Sequence, residues 1–177
     1  LAGSWSHHIK RMMLALRKLL GTKRVRVVFI GCMAGNPLIA HQPIAEVLKE
    51  LKECLRTARE CFPNAKIVVY GIPPVGELYV IKFRRICNEA IKNWVFNDGN
   101  AVYVSLQKGF AGFAGLFPKT HYSSDGIHMS PVGMRRFDLL LNLAVQAKPG
   151  SIVEYSHKKA LKEWLRSIGL LTEGMAA

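Results

Sequence analysis

The sequence predicts a three-layer α/β/α sandwich built on a parallel sheet. Three short segments rich in β-branched residues alternate with amphipathic segments of helical spacing, and such alternation favours parallel strands covered by helices on both faces. The 177 residues suit one domain, since domains usually hold roughly 100 to 200 residues. We expect that domain to span residues 1–148 and a basic helical extension to follow over residues 149–177.

The amino-terminal half predicts two helices and two strands. Apolar residues recur at helical spacing over residues 9–20 and 44–62, and glycine or proline directly follows each segment, as at helix ends. Residues 24–30 become continuously apolar and residues 66–70 read Lys-Ile-Val-Val-Tyr, which is typical of strands buried on both faces. The small residues after the first strand and the Gly-Ile-Pro-Pro loop after the second lie where α/β folds place their functional sites.

The carboxy-terminal half continues the alternation. Residues 78–96 predict a helix, and the turn cluster Asn-Asp-Gly-Asn separates them from a third strand at residues 101–106. Residues 109–118 are rich in glycine and phenylalanine and predict an irregular loop. Helices are expected over residues 131–147 and 155–168. A parallel sheet of only three strands is thin, so we expect one edge to be the place of a further strand.

The loop before the helix at residue 131 carries the strongest chemical signal. Ser130 suits the helix N-cap and Pro131 suits the first helical position. Asp125 and His128 are three residues apart on this loop. At that spacing the carboxylate can accept a hydrogen bond from the imidazole, fixing its tautomer and leaving the other nitrogen free as a base. The alternative is an ordinary capped turn with a surface histidine.

The block Asp-Gly-Ile-His-Met-Ser-Pro-Val-Gly at residues 125–133 resembles the last sequence block of the SGNH (GDSL) hydrolases. The order of elements extends the resemblance over about residues 3–143. It implies a flavodoxin-like fold and a serine esterase acting on small acyl or lipid-like esters without metal or nucleotide. It also implies that His128 is the general base and Asp125 its orienting carboxylate.

The resemblance implies three groups that would stabilise the oxyanion. The start at Gly3 is similar to the family's glycine block, and the strand ending at Gly31 is similar to the strand that precedes its Gly-x-Asn-Asp block. Here that block departs from the family pattern, because Asn36 aligns only across two inserted residues and no aspartate follows it. The implied donors are the backbone around Gly3 and Gly31 and the side-chain amide of Asn36. For the glycines the alternative is a purely steric need for a close turn.

One branch of the family is the most similar. The proline loop at residues 72–75 and the Arg-x-x-x-Asn pattern at residues 84–88 resemble the esterase domain in the first open reading frame of LINE-type animal retrotransposons. That likeness implies attachment to a larger polypeptide with coiled-coil or RNA-binding parts.

The family's nucleophile is not identified in this sequence. No apolar strand is followed by Gly-Asp-Ser, and no strand precedes Ser4 or Ser6, whereas such serines follow a strand. We therefore expect an amino-terminally truncated domain that lacks its first strand and the serine on it.

The charge suggests a second function. Lysine and arginine total 25 against 12 aspartate and glutamate residues, a formal net charge of +13, which favours polyanions as partners. The alternative to esterase is therefore a catalytically inactive SGNH-fold domain that binds nucleic acid or an anionic membrane surface. A solvated lysine-rich surface would explain the same charge. An unrelated flavodoxin-like binding domain ranks last, because residues 31–36 lack a glycine-rich phosphate loop with its lysine.

The cysteines and the apolar segments indicate the compartment. Free thiols in a reducing compartment, cytoplasmic or nuclear, are expected because the cysteines have no Cys-x-x-Cys spacing and three of them fall on apolar faces. No apolar run approaches the roughly 20 residues of a membrane-spanning helix. The four cysteines are Cys32, Cys54, Cys61 and Cys87.

Overall fold

A computed structural model describes residues 6–21, 25–31, 34–75, 78–107, 110 and 119–155. Five α-helices and four strands lie in these ranges, with a 3-10 turn at Lys119–His121 before the last helix. In chain order they are α1 (Ser6–Leu20), β1 (Val27–Gly31), α2 (Gly35–Ile39), α3 (Ile44–Cys61), β2 (Lys66–Tyr70), α4 (Leu78–Asp98), β3 (Ala101–Ser105), α5 (Pro131–Gln146) and β4 (Ile152–Glu154).

The strands form one parallel sheet in the order β1-β2-β3-β4. The predicted α/β fold with a parallel sheet is confirmed, and the described sheet has one strand more than the three that the sequence analysis located. The missed strand, β4, pairs with β3 from Tyr103↔Ile152 to Ser105↔Glu154. It falls within the segment predicted as a basic helical extension, and its three residues are too few to show a strand period. Residues 156–177 lie outside the described ranges.

Helices cover both faces of the sheet, so the three-layer arrangement is also confirmed. Alternate residues of a strand point to opposite faces. Ile67 and Val69 belong to a buried cluster with residues of α1, α3 and α4, whereas Val68 and Val102 belong to a cluster with residues of α5. Because β2 and β3 are buried on both faces, their near-continuous apolar sequence is explained.

The last crossover differs from the first two. The connections through α3 and α4 pass over the same face, each moving one strand further along the sheet. The connection from β3 through α5 to β4 moves in the same direction but passes over the opposite face. It therefore has the opposite hand, which is uncommon for parallel strands.

One predicted loop forms a helix. Residues 35–39, which the sequence indicated only as a turn after β1, make the short helix α2, with Pro37 and Leu38 buried. None of the helices within the described ranges has both the length and the apolar character needed to cross a bilayer.

Strand β1 is one of the two edge strands of the described sheet, and β4 is the other. Phe29 of β1 is 45% exposed, although its register partner on β2, Val68, is fully buried. The sequence analysis did not say which edge a further strand would occupy, so a strand beside β1 remains a prediction.

The cysteines that the structure describes are buried, free thiols: Cys54, Cys61 and Cys87. Burial raises the pKa of Cys54 to about 12 and that of Cys87 to about 11. These two thiols therefore stay protonated and poorly nucleophilic at neutral pH. Cys32 lies outside the described ranges.

At the amino ends of the strands, Arg59 joins three segments. Its Nε donates to Asp98 Oδ2 at 2.8 Å and its Nη2 contacts Asp98 Oδ1. Nη1 donates to the Pro63 and Ala65 carbonyls, each at 2.9 Å, and Nη2 donates to the Asn100 carbonyl. The Asp98 side chain is only 4% exposed. One guanidinium thus ties the end of α3 to the end of α4 and to the segments that lead into β2 and β3.

Arg59→Met should lower the free energy of unfolding by about 3 kcal/mol, because it leaves the Asp98 carboxylate buried without its partner. Urea denaturation measures the change. Arg56→Met is the matched control: its pair with Glu60 is exposed on both sides, and its loss should change the value by less than about 1 kcal/mol. Equal effects of the two substitutions would contradict the role given to Arg59.

Candidate active site

A closed loop leads from the 3-10 turn into α5. Tyr122 and Met129 form an antiparallel bridge across its base. Within it, the Ser123 N–H donates to the His128 carbonyl at 2.7 Å and the Gly126 N–H donates to the Ser123 carbonyl at 3.0 Å. Gly126 has φ +68°, a conformation that side chains with a Cβ rarely adopt. The backbone therefore fixes the loop, and Asp125 and His128 lie on it.

The structure brings Asp125 and His128 together as their spacing predicts. The Nδ1 atom of His128 lies 2.6 Å from Asp125 Oδ2. The other carboxylate oxygen, Oδ1, accepts from the backbone N–H groups of Ile127 at 2.8 Å and of His128 at 2.9 Å. One carboxylate thus holds both the loop backbone and the imidazole ring.

These hydrogen bonds keep the carboxylate ionised. The bond from His128, followed by those from the backbone N–H groups of Ile127 and His128, lowers the pKa of Asp125 to about 2. The two side chains remain open to solvent, with 43% of Asp125 and 66% of His128 exposed. Within the described part of the chain, the Nε2 atom of His128 has no hydrogen-bond partner, so it is available as a base.

Ser130 connects this loop to the helix behind it. Its Oγ accepts from the Gly133 N–H at 3.2 Å and donates to the Thr120 carbonyl at 2.7 Å. Its backbone N–H donates to the His121 carbonyl at 3.0 Å. The predicted N-cap at Ser130 and the predicted first helical position of Pro131 are confirmed. The start of α5 is therefore fastened to the 3-10 turn on the other side of the loop.

Gly133, the last residue of the block at residues 125–133, meets His121, a residue to which the sequence analysis gave no role. A Cβ at Gly133 would overlap the His121 carbonyl oxygen, so only glycine lets α5 approach that segment. His121 is buried, and burial together with the nearby Arg136 charge lowers its pKa. A glycine in the first turn of α5, where it weakens a helix, is the signal in the sequence that points to this close contact.

Two of the three predicted oxyanion positions, Gly31 and Asn36, lie at or just after the end of β1. A Cβ at Gly31 would overlap the Tyr70 ring, which accounts for glycine there on steric grounds. Asn36 is half-buried at the second position of α2. Its neighbours Ala34 and Leu38 share a buried cluster with Tyr122 of the loop, so α2 and the loop meet at the carboxyl end of the sheet. Gly3 lies outside the described ranges. The donor roles of these three residues remain predictions.

In the Arg-x-x-x-Asn pattern of α4, the asparagine, Asn88, has a structural role. Asn88 Oδ1 accepts from the Ile72 N–H at 2.8 Å, and Asn88 Nδ2 donates to the Ile72 carbonyl at 3.1 Å. This two-bond clamp holds the proline loop that follows β2. Gly71 precedes it, and a Cβ there would overlap the Tyr103 hydroxyl. The proline loop is therefore positioned by α4 and β3 together.

A cleft of about 350 Å³ opens between α4 and the β3–β4 edge. Its walls include Arg84, Tyr103, Ser105 and Glu154. Neither Asp125 nor His128 lines it. A substrate bound in this cleft would therefore not lie against the Asp–His pair.

Comparison with known proteins supports the fold. No protein-family model matches the chain, and no curated protein matches it. The chain is similar to a solved structure from Streptococcus pneumonia, provisionally described as a platelet activating factor, with 16% identity and a TM-score of 0.52. The likeness covers 72% of this chain and 86% of that chain. At this identity the likeness shows the fold alone, an α/β fold with a parallel sheet. The likeness to retrotransposon proteins remains a prediction.

The carboxyl carbon of Asp125 should titrate near pH 2 in carbon-13 NMR, because the ionised form holds three hydrogen bonds. In His128→Ala the midpoint should rise toward the ordinary 3.8, since the largest cause of the lowered pKa is removed. A lowered carboxyl pKa stabilises the native loop above pH 3.8, and this contribution is lost as the pH falls through about 2. An unchanged midpoint in the variant would show that the pair is not formed in solution.

Gly133→Ala should destabilise the domain by about 2 kcal/mol, as overpacking of a close contact does, and should disturb the loop that holds Asp125. Thermal unfolding and the carbon-13 titration of Asp125 measure the two effects. Val132→Ala, at a neighbouring exposed position of α5, is the control. If Gly133→Ala and the control behave alike, the close contact with His121 is not a constraint.

Proposed function

We propose that this chain carries an SGNH-type serine esterase domain, in which Asp125 and His128 are the acid–base part of the catalytic site. The observation that carries the proposal is the 2.6 Å pair between His128 Nδ1 and Asp125 Oδ2 on a loop at the carboxyl end of a parallel sheet, where α/β folds bind their ligands. The similar solved structure supports the fold for such a site. The proposed substrates are small acyl esters or lipid-like esters.

The pair would act through His128 Nε2. This nitrogen takes the proton from a serine hydroxyl as the hydroxyl oxygen attacks the ester carbonyl, and then gives the proton to the departing alcohol. In the second half of the reaction, His128 Nε2 takes a proton from water as the water oxygen attacks the acyl-enzyme carbonyl. The proton then passes to the serine oxygen as the carboxylic acid leaves. Because its pKa is about 2, Asp125 stays ionised throughout and stabilises the imidazolium without taking the proton.

Charge on the carbonyl oxygen would be stabilised from the end of β1. The backbone N–H groups around Gly31 and Gly3 and the side-chain amide of Asn36 are the proposed donors. One donor of this kind is worth roughly 3 kcal/mol in the transition state. The cluster shared by α2 and Tyr122 supports the assignment of Asn36, because it puts α2 beside the loop of the Asp–His pair.

The nucleophile is not assigned to a residue of this sequence, either inside or outside the described ranges. Within those ranges no serine hydroxyl hydrogen bonds to the His128 ring. Covalent labelling identifies the serine directly.

A fluorophosphonate probe and short-chain p-nitrophenyl esters test the proposal on the longest natural polypeptide that contains this domain. The probe should label one serine, which peptide mass spectrometry identifies. His128→Ala should abolish labelling and lower kcat/KM by roughly 1,000-fold or more, and Asp125→Asn should lower it by a similar factor. His8→Ala, on the exposed side of α1, should leave both readouts unchanged.

Retained hydrolysis in His128→Ala would remove this residue from the mechanism. An unlabelled, inactive wild-type polypeptide would favour the second candidate, an inactive SGNH-fold domain that binds polyanions, which the net charge of +13 favours. An RNA affinity whose logarithm falls linearly with the logarithm of salt concentration would mark that function.

A further inference from the structure

The cleft between α4 and the β3–β4 edge follows from the path of the last crossover. Val153 of β4 packs in the cluster with α5, so its neighbours Ile152 and Glu154 point to the opposite face of the sheet, the face of α4. Helix α4 packs on β3, and Ile152 is still 42% exposed. Because α5 covers β4 from the other face, a cleft of about 350 Å³ opens beside α4.

The floor of the cleft consists of two strand pairs at the carboxyl end of the sheet. Tyr103 pairs with Ile152, and Ser105 pairs with Glu154. All four residues line the cleft, as residues two apart on a strand share one face. Tyr103 is 3% exposed and Ser105 is 7% exposed. These two hydroxyl-bearing residues therefore form the deep part of the cleft, at the sheet edge where α/β folds bind ligands.

One face of α4 forms the wall of the cleft. Arg84, Asn88 and Lys92 recur at intervals of four residues, so they follow one another along the same side of the helix, and all three line the cleft. The Asn88 side chain is occupied by its clamp on the proline loop. Lys92 Nζ bonds Glu89 Oε1 at 2.9 Å. Of the three, Arg84 is the residue whose side chain has no such role.

Arg84 is the part of the cleft that most favours an anionic ligand. Its side chain is partly buried, and its Nη1 atom is buried without a hydrogen-bond partner in the described part of the chain. Burial lowers the pKa of the guanidinium from its ordinary 12.5, but an arginine in a protein keeps its charge. A buried donor without an acceptor is costly, and more so on a charged group. An anion in the cleft would offset that cost.

Two hydroxyl groups add donors beside this cation. Ser105 Oγ accepts from the Gln107 N–H at 3.4 Å, which leaves the O–H of Ser105 to donate. Burial raises the pKa of Tyr103, and the charge of Arg84 opposes that rise. The Tyr103 hydroxyl therefore keeps its proton at neutral pH and lies within the field of the guanidinium.

The charge of the lining fits a ligand with one negative charge. Three basic residues line the cleft, Arg84, Arg85 and Lys92, together with two acidic ones, Glu89 and Glu154. The lining thus has one positive charge in excess, and its two carboxylates disfavour a doubly charged anion. The planar fork of a guanidinium matches the two oxygens of a carboxylate.

We propose that this cleft is a binding site for small organic carboxylates. The carboxylate is held at Arg84, with the hydroxyl groups of Tyr103 and Ser105 as further donors, and a short hydrocarbon chain packs against Ile152. A cleft of about 350 Å³ suits a small ligand, since ligand pockets range from roughly 300 to 1,000 Å³. The Asp–His pair does not line the cleft and binding needs no hydrolysis, so the inference goes beyond the proposed esterase.

Titration of the nitrogen-15-labelled 177-residue chain with sodium butyrate, followed by NMR, tests the proposal. The backbone amide signals of Asn88, Ser105 and Glu154 should shift and saturate, with a dissociation constant on the order of 1 mM, as a ligand of few atoms allows. Butyramide, the neutral amide of similar shape, should bind at least roughly tenfold more weakly because it lacks the charge. Inorganic phosphate, which is largely doubly charged above neutral pH, should also bind at least roughly tenfold more weakly.

Substitutions in the cleft assign the contacts. Arg84→Gln should raise the dissociation constant for butyrate at least roughly tenfold, because a charge-assisted hydrogen bond is lost. Arg84→Lys should raise it about threefold, since the charge stays and the fork is lost. Ser105→Ala should also raise it about threefold. Arg135→Gln is the matched control: Arg135 is an exposed arginine of α5 outside the lining, and its loss should change the constant by less than about twofold.

Thermal unfolding separates binding by Arg84 from a structural role. Butyrate should raise the Tm of the wild type and of Arg135→Gln, but not that of Arg84→Gln. Without butyrate, Arg84→Gln should unfold at a Tm no lower than the wild type, because the substitution removes a partly buried cation that has no partner. A markedly lower Tm without butyrate would show that Arg84 holds the fold instead of a ligand.

Four binding results would overturn the proposal. Equal affinity for butyrate and butyramide would mean that the cleft is only an apolar cavity. Absence of saturable shifts would mean that water alone fills it. Tighter binding of phosphate would make it a phosphate site. Shifts centred on the loop of Asp125 and His128, abolished by His128→Ala and kept in Arg84→Gln, would place the carboxylate in the candidate active site.

Discussion

The burial of two parallel strands on both faces is the constraint from which the other features follow. Because β2 and β3 expose neither face, helices must pack on each side of the sheet, and every strand ends at the same edge. The connections after β1 and β2 and the loop before α5 therefore converge there, joined by the buried cluster that contains Ala34, Ile72 and Tyr122. A side chain on any one of these three segments therefore lies near the other two segments.

At that edge, the Asp125 carboxylate both fixes the loop backbone and orients the imidazole ring of His128. One oxygen closes the loop backbone through Ile127 and His128, and the other holds the imidazole ring. The same hydrogen bonds that keep the carboxylate ionised thus also orient the base, so loop geometry and protonation state depend on each other. The close contact between Gly133 and His121 and the Asn88 clamp on Ile72 hold the surrounding segments.

Local interactions were readable from the sequence, and long-range ones were not. The strand at residues 66–70, the Ser130 cap and the pairing of Asp125 with His128 depend on side-chain period or on residues three apart, so the sequence alone determined them. Strand β4, the opposite hand of its crossover, the Asn88 clamp and the need for glycine at Gly133 depend on segments at least twelve residues apart along the chain. Only the packing of the whole sheet brings those segments into contact, which is why the tertiary structure decided them.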